Sequence, residues 1–169
     1  MEAKRSSGHA WRVNSVGKKA AHGERQAQAS PSRPKKARAT KAVRLLLDTS
    51  VLIDVLRGRN ARKELLVELI RAGHTLSTTS LNIAEVYAGM RPHEESATEA
   101  LLDELECHEL TGRAGRLAGK FISEWKKKGR TLELPDTVVA AVSIETKCAL
   151  ITDNRKDFPM PEVQLYQLP

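Results

Sequence analysis

Two short apolar runs in this chain each end on an aspartate. Residues 43–47 lead into Asp48, and residues 149–152 lead into Asp153. Runs of this length between turn-forming residues are typical of strands buried in a parallel sheet, although periodicity alone leaves a buried helix open. As strands, they place both aspartates at the carboxyl edge of the sheet, where open α/β proteins bind their ligands.

Apolar residues elsewhere recur at helical spacing, interrupted by further short β-type stretches. The pattern predicts helices over residues 51–56, 62–72, 81–89, 96–106, 112–128 and 136–144, and further strands over 75–78, 107–110 and 163–166. Strands that alternate with helices imply right-handed crossovers and a mostly parallel sheet covered on both faces. The predicted fold class is therefore α/β, a three-layer α/β/α sandwich.

Two of these helices carry acidic residues in unusual positions. Glu85 lies in the middle of a mostly apolar helix for which Ser80 is the predicted N-cap, with Leu81, Ile83, Ala84 and Val86 packing inward. A carboxylate near a core-facing position is costly unless it is paired, hydrogen-bonded or metal-bound; the alternative is an ordinary exposed glutamate. Asp136 is expected at the N-cap or in the first turn of its helix, with Pro135 before the helix.

Charge divides the chain at about residue 42. Residues 1–42 hold 11 Lys and Arg against two Glu, whereas the remainder holds 17 against 19 acidic residues, a net charge of −2. The basic segment has few large apolar residues and is expected to be a disordered tail, and residues 43–169 the folded domain. The tail is either a nucleic-acid-binding arm or a passive extension, including one that arises from a start site assigned too far upstream.

Cysteine usage and hydropathy indicate the compartment. Cys107 and Cys148 form no CxxC pair and no disulfide framework, which favours a reduced, cytoplasmic setting, and Cys148 beside an apolar run is expected to be buried. No apolar run reaches the length of a membrane span and no signal peptide is evident, so the chain is expected to be soluble. The cluster at residues 126–128 suits a helix C-terminus, with phosphate contact as the alternative.

Four carboxylates are predicted to meet at one edge of the sheet: Asp48, Glu85, Asp136 and Asp153. Unpaired, they would repel one another by several kcal/mol in total, whereas divalent cations among them would remove that cost. Hard oxygen ligands without clustered His or Cys select Mg²⁺ or Mn²⁺ over Zn²⁺. Asp54 and Asp157 are competing acids: Asp54 is expected to face another direction, and Asp157 either assists Asp153 or caps a turn.

Four ordered motifs carry a family resemblance. They are Leu47-Asp48-Thr49-Ser50-Val51-Leu52-Ile53-Asp54, then Asn82-Ile83-Ala84-Glu85-Val86, then Gly129-Arg130-Thr131-Leu132 with Asp136-Thr137-Val138-Val139-Ala140-Ala141, then Ile151-Thr152-Asp153-Asn154 with Asp157-Phe158. Together they resemble the motifs of PIN-domain ribonucleases, and most closely the VapC-type toxins of bacterial toxin–antitoxin pairs. The resemblance covers residues 43–169, and nothing carries over to residues 1–42.

The resemblance implies a metal-dependent endoribonuclease that hydrolyses RNA phosphodiester bonds. It maps the family's metal-binding acids onto Asp48, Glu85, Asp136 and Asp153, and its hydroxyl partners onto Thr49 or Ser50 and onto Thr152. It also implies a homodimer and a cognate antitoxin protein. Two alternatives stay open: a non-catalytic RNA-binding module, and a PIN nuclease of RNA processing that is not a toxin. An aspartyl phosphotransferase is disfavoured because Ser50 stands where that chemistry needs a second carboxylate.

Overall fold

The computed structural model describes residues 42–168, so the prediction of a disordered tail falls, but for Ala42, outside the described residues. Within them, strands and helices alternate in most of the predicted places. The strands are β1 (Arg44–Leu47), β2 (Thr75–Thr79), β3 (Glu106–His108) and β4 (Ala149–Ile151). The helices are α1 (Thr49–Leu56), α2 (Arg62–Arg71), α3 (Ser80–Gly89), α4 (Glu95–Leu102), α5 (Gly112–Lys127) and α6 (Leu134–Thr146). Two 3-10 turns, Pro92–Glu94 and Arg155–Asp157, complete the elements.

The strands form one parallel sheet in the order β3-β2-β1-β4. β1 lies between β2 and β4, with Leu46 opposite Ser77 on one side and Leu150 on the other. A parallel sheet needs a crossover after each strand, and the intervening helices supply it. The predicted α/β fold is confirmed.

The three leucines of β1 supply the middle layer of the core. Leu45 and Leu47 face a cluster that includes Leu52 of α1 and Leu65 of α2, whereas Leu46 faces the opposite cluster. That second cluster is built on Phe121 of α5, Val139 and Ala140 of α6, and Leu150. All three leucines are completely buried. Because both faces of β1 are apolar and buried, helices cover the sheet on both sides. This gives the three-layer arrangement.

The starts of α3 and α6 differ from the predictions. Thr79, not Ser80, caps α3, because its Oγ1 accepts a hydrogen bond of 3.1 Å from the backbone N–H of Asn82. Asn82 and Val86 are the buried residues of α3, and Ala84, predicted to pack inward, is exposed. Pro135 lies inside the first turn of α6 rather than before it. The first turn tolerates proline since its backbone N–H groups have no partner within the helix.

The last predicted strand, over residues 163–166, is reduced to a single bridge. Leu150 donates its N–H to the carbonyl of Gln164 at 2.7 Å and accepts from the N–H of Tyr166 at 2.8 Å, so that Leu165 lies opposite Leu150. β4 has only three residues and cannot support a longer ladder on this side. The helix predicted over 96–106 is likewise shorter, because the chain must turn after Leu102 to bring Glu106 beside Ser77.

Candidate active site

Asp48 lies at the junction of β1 and α1, where the sheet delivers it to its carboxyl edge. Its N–H donates to the carbonyl of Ile151 at 3.0 Å, so the β1–β4 ladder continues through its backbone. The residue is only 6% exposed. Its Oδ2 accepts hydrogen bonds from Ser50 Oγ and Thr152 Oγ1, both at 2.8 Å. Both hydroxyls bind one carboxylate oxygen and fix the orientation of the other.

A chain of hydrogen bonds holds Glu85. Thr79 Oγ1 donates to the side-chain oxygen of Asn82, Asn82 Nδ2 donates to Thr49 Oγ1 at 2.8 Å, and Thr49 Oγ1 donates to Glu85 Oε2. Asn82 is completely buried, so each of its polar atoms needs a partner, and this chain provides them. Sequence reasoning missed Asn82 as a functional residue; the only signal was an amide on an otherwise apolar helix face, three residues before Glu85.

Among the described residues, Asp136 is the acid whose pKa departs most from its ordinary value. The pKa of its carboxyl is raised from 3.8 to about 6, first by burial and then by the negative charges of Asp157, Asp48, Glu85 and Glu133, in that order. Asp48 and Glu85, two of the other acids predicted to meet here, therefore lie within electrostatic reach of Asp136. Perturbation by burial together with like charges is characteristic of functional sites.

Asp153, the fourth predicted acid, has a different neighbour. Its Oδ1 forms an ion pair with the guanidinium of Arg62 at the start of α2. The charge that instead faces Asp136 most strongly is that of Asp157, four residues further on in the 3-10 turn. The pairing with Arg62 was not visible in the sequence, since 91 residues separate the two side chains.

The turn that carries Asp157 is tied to the end of α5. The guanidinium of Arg130 donates to the carbonyl of Lys156 and lies 5.7 Å from the ring of Trp125. The ammonium of Lys128 lies 4.5 Å above the same ring. Part of the basic cluster therefore packs on an aromatic side chain just after α5 ends, in keeping with the helix-terminal interpretation of these lysines.

The carboxylate oxygens of these acids are the kind of donor atom that a hard divalent cation prefers. Within residues 42–168, Asp48 Oδ1 and Glu85 Oε1 accept no hydrogen bond, while the second oxygen of each is fixed by hydroxyls. In their present positions, no three or more His, Cys, Asp or Glu side chains of these residues are grouped closely enough to hold an ion by themselves. The repulsion that raises the pKa of Asp136 is the kind that a cation relieves.

Comparison with known proteins assigns the family. The PIN-domain family model matches residues 45–160, and the chain belongs to this family. It is 32% identical over 120 residues to Ribonuclease VapC19 of Mycobacterium tuberculosis, a match that covers 70% of this chain and 96% of that protein. The chain is thus a member of the VapC-type branch.

Solved structures agree on the fold. The structure of VapBC2 from Rickettsia felis bound to a promoter DNA fragment matches with a TM-score of 0.67 at 21% identity, over 75% of this chain and 100% of that one. A toxin–antitoxin complex from Klebsiella pneumoniae matches with a TM-score of 0.59 at 26% identity, over 73% of this chain and 99% of that one. Across residues 42–168, none of the helices has the length and apolar character to span a bilayer.

Proposed function

We propose that this protein is a divalent-metal-dependent endoribonuclease and the toxin of a toxin–antitoxin pair. The observation that carries the proposal is the position of Asp136, whose pKa is raised by burial and by the charges of neighbouring acids that include Asp48 and Glu85. Membership of the PIN-domain family and similarity to a protein named a ribonuclease support the reaction class.

Asp48, Glu85 and Asp136 would hold the metal, Mg²⁺ or Mn²⁺. A bound ion of this kind supplies an activated water and stabilises charge on the phosphoryl oxygens. Ser50 and Thr152 orient Asp48 by donating to its Oδ2, and Thr49 orients Glu85 in the same way. These hydroxyls fix the carboxylates before substrate arrives, so that little reorganisation accompanies the reaction.

The fourth carboxylate is open to a direct comparison. The motif pattern favours Asp153, whereas the electrostatics of Asp136 favour Asp157. Asp153→Asn and Asp157→Asn are close to isosteric, so that each removes a charge with little change of shape. The variant with the larger loss of cleavage identifies the acid that completes the site.

The reaction is tested with purified protein and single-stranded RNA in Mg²⁺ or Mn²⁺, with EDTA as the metal-free condition. Asp48→Asn and Asp136→Asn should each lower cleavage by at least about 100-fold, which corresponds to roughly 2.7 kcal/mol of transition-state stabilisation. Asp103→Asn, at an exposed acid just after α4, is the matched control and should keep the parent rate. Metal-dependent cleavage that survives in both site variants would sink the assignment, and RNA binding without any cleavage would favour a binding module.

The partners are proposed on the same basis. The Klebsiella and Rickettsia neighbours were solved as a toxin–antitoxin complex and as VapBC2, which supports a cognate antitoxin here. Expression of this chain should arrest growth, and co-expression of a short neighbouring gene should relieve the arrest. We also propose a homodimer, which the resemblance to VapC-type proteins implies. Light scattering on the purified protein measures its mass directly.

A further inference from the structure

A basic cleft lies at the far end of α1 from Asp48. It has a volume of about 390 Å³, and the charged residues that line it are Arg57, Arg59, Arg91, His93 and Glu94. They come from the loop after α1 and from the 3-10 turn before α4. Because α1 rises about 1.5 Å per residue, Arg57 lies roughly 13 Å along the helix from Asp48. None of these residues has a role in the acid site.

The single acid in the cleft, Glu94, stays charged, and neighbouring groups already balance its negative charge. Glu94 Oε2 accepts a hydrogen bond of 2.9 Å from the N–H of Arg91, and Arg57 Nε lies 3.6 Å from Glu94 Oε1. The backbone N–H of Arg91 lowers the pKa of Glu94 most, and the positive charges of Arg57, Arg91 and His93 lower it further. Three arginines against one carboxylate leave a positive excess, and the guanidinium of Arg59 has no hydrogen bond or ion pair within residues 42–168.

The loop that presents Arg59 is built at a conformational cost. Gly58, Asn60 and Ala61 have positive φ angles of 61°, 51° and 49°. A non-glycine residue in this region is disfavoured, and such strain persists only where the surroundings hold it. Asp54 holds it here: its carbonyl accepts the N–H of Arg59 at 2.8 Å, and its side chain accepts from Asn60 Nδ2. Asp54, a competing acid by sequence, therefore serves the cleft and not the metal-binding acids.

We propose that this cleft binds a backbone phosphate of the RNA substrate, a few nucleotides away from the bond that is cut. The inference rests on the proposed ribonuclease function. Residues 43–169 have a net charge of −2 and gather their acids where the reaction would occur, so a polyanion needs cationic contacts elsewhere on the domain. Arginine forks match phosphate geometry, and the held backbone of the loop keeps Arg59 at the cleft. Leu56 and Ala97 supply the only apolar lining, which is too little to anchor a protein partner.

The test measures RNA binding without cleavage. In an Asp48→Asn background with EDTA, the double change Arg59→Gln with Arg91→Gln should weaken binding of a labelled single-stranded RNA about tenfold at 0.1 M salt. The slope of log Kd against log salt should fall by about 0.7, since one lost phosphate contact on a single strand removes about that amount. Arg59→Lys keeps the charge and loses the fork, so it should keep the slope.

Arg113→Gln with Arg116→Gln is the matched control, because both arginines are exposed on α5, away from the cleft. It should leave the affinity within about twofold of the Asp48→Asn parent. An unchanged affinity and slope in the cleft variant overturns the proposal, and so does a loss confined to antitoxin binding. Failure of the chain without these substitutions to cleave RNA in Mg²⁺ or Mn²⁺ counts against the proposed function instead, and is read in a separate assay.

Discussion

Asp136→Asn should stabilise the metal-free protein at neutral pH while abolishing its activity. The pKa of this carboxyl rises from 3.8 to about 6 on folding, so the folded state pays to keep it charged. A shift of about two units, at about 1.4 kcal/mol per unit, sets an upper bound of roughly 3 kcal/mol. Partial exposure and salt screening reduce this to roughly 1–2 kcal/mol.

The sign of this effect depends on pH in a defined window. Because the folded pKa is raised, the parent carries the full cost above about pH 6, where Asp136 is charged, and none below 3.8, where it is protonated in both states. The advantage of the asparagine variant should thus appear between pH 4 and 6 as the pH rises, and stay constant above it.

Urea unfolding in EDTA at pH 4 and pH 7.5 measures the difference, with Asp103→Asn as the control that should show no pH-dependent gain. At pH 7.5 the expected gain in the free energy of unfolding is roughly 1–2 kcal/mol, which thermal unfolding would show as a rise in Tm of roughly 3–6 °C for a domain of this size. Millimolar Mg²⁺ should stabilise the parent more than the variant, since binding to the native state alone adds stability. A variant that is less stable than the parent at pH 7.5 in EDTA, or equally favoured at both pH values, would refute the electrostatic reasoning.

Three further substitutions test the scaffold. Thr49→Val should cost about 1–3 kcal/mol in urea unfolding and reduce the cleavage rate, because it strands the Asn82 amide and frees Glu85; wild-type values for both would contradict the chain of hydrogen bonds. Leu46→Ala should cost about 2–5 kcal/mol because the side chain is completely buried, and a loss below about 1 kcal/mol would mean that the core closes around the gap. Gly129→Ala should cost about 1–2 kcal/mol from its φ of 79° alone, since a Cβ there meets no atom within 4 Å; a neutral result in the same unfolding assay would show that the turn relaxes.

Two strands of the sheet, β1 and β4, were predictable from sequence because short apolar runs mark them. Residues 43–47 and 149–152 could be assigned by composition, and β1 and β4 lie within those ranges. The bridge at Leu165 was predicted as a longer strand because residue patterns record side-chain burial and not the length of the neighbouring strand. The start of α6 was predicted two residues too late for a related reason: proline marks a helix boundary, but it is accepted both before the helix and within its first turn.

The part of the acid site that follows from the direction of the strands and helices was predictable from sequence. Asp48 and Asp136 follow from the rule that strand ends and the starts of following helices share an edge. The neighbours of Asp153 and Asp157 could not be predicted, because a turn of a few residues can direct either side chain inward. Tertiary contacts, among them those of Arg62 and Arg130, hold that turn, and such contacts are not visible in the sequence.

Because β1 pairs with β4, the surroundings of Asp48 in a nascent chain are complete only after β4 has been synthesised. Asp48 leaves the ribosome early, yet its hydrogen-bond donor Thr152 lies 104 residues later, and Ile151, which receives its N–H, comes just before that. At about 5–20 residues per second, synthesis of that interval takes roughly 5–20 seconds. Throughout it, the first acid lacks the strand and the hydroxyl that orient it. In a chain that is still being translated, Asp48 therefore lacks these partners. The acid site is assembled only when β4 pairs with β1.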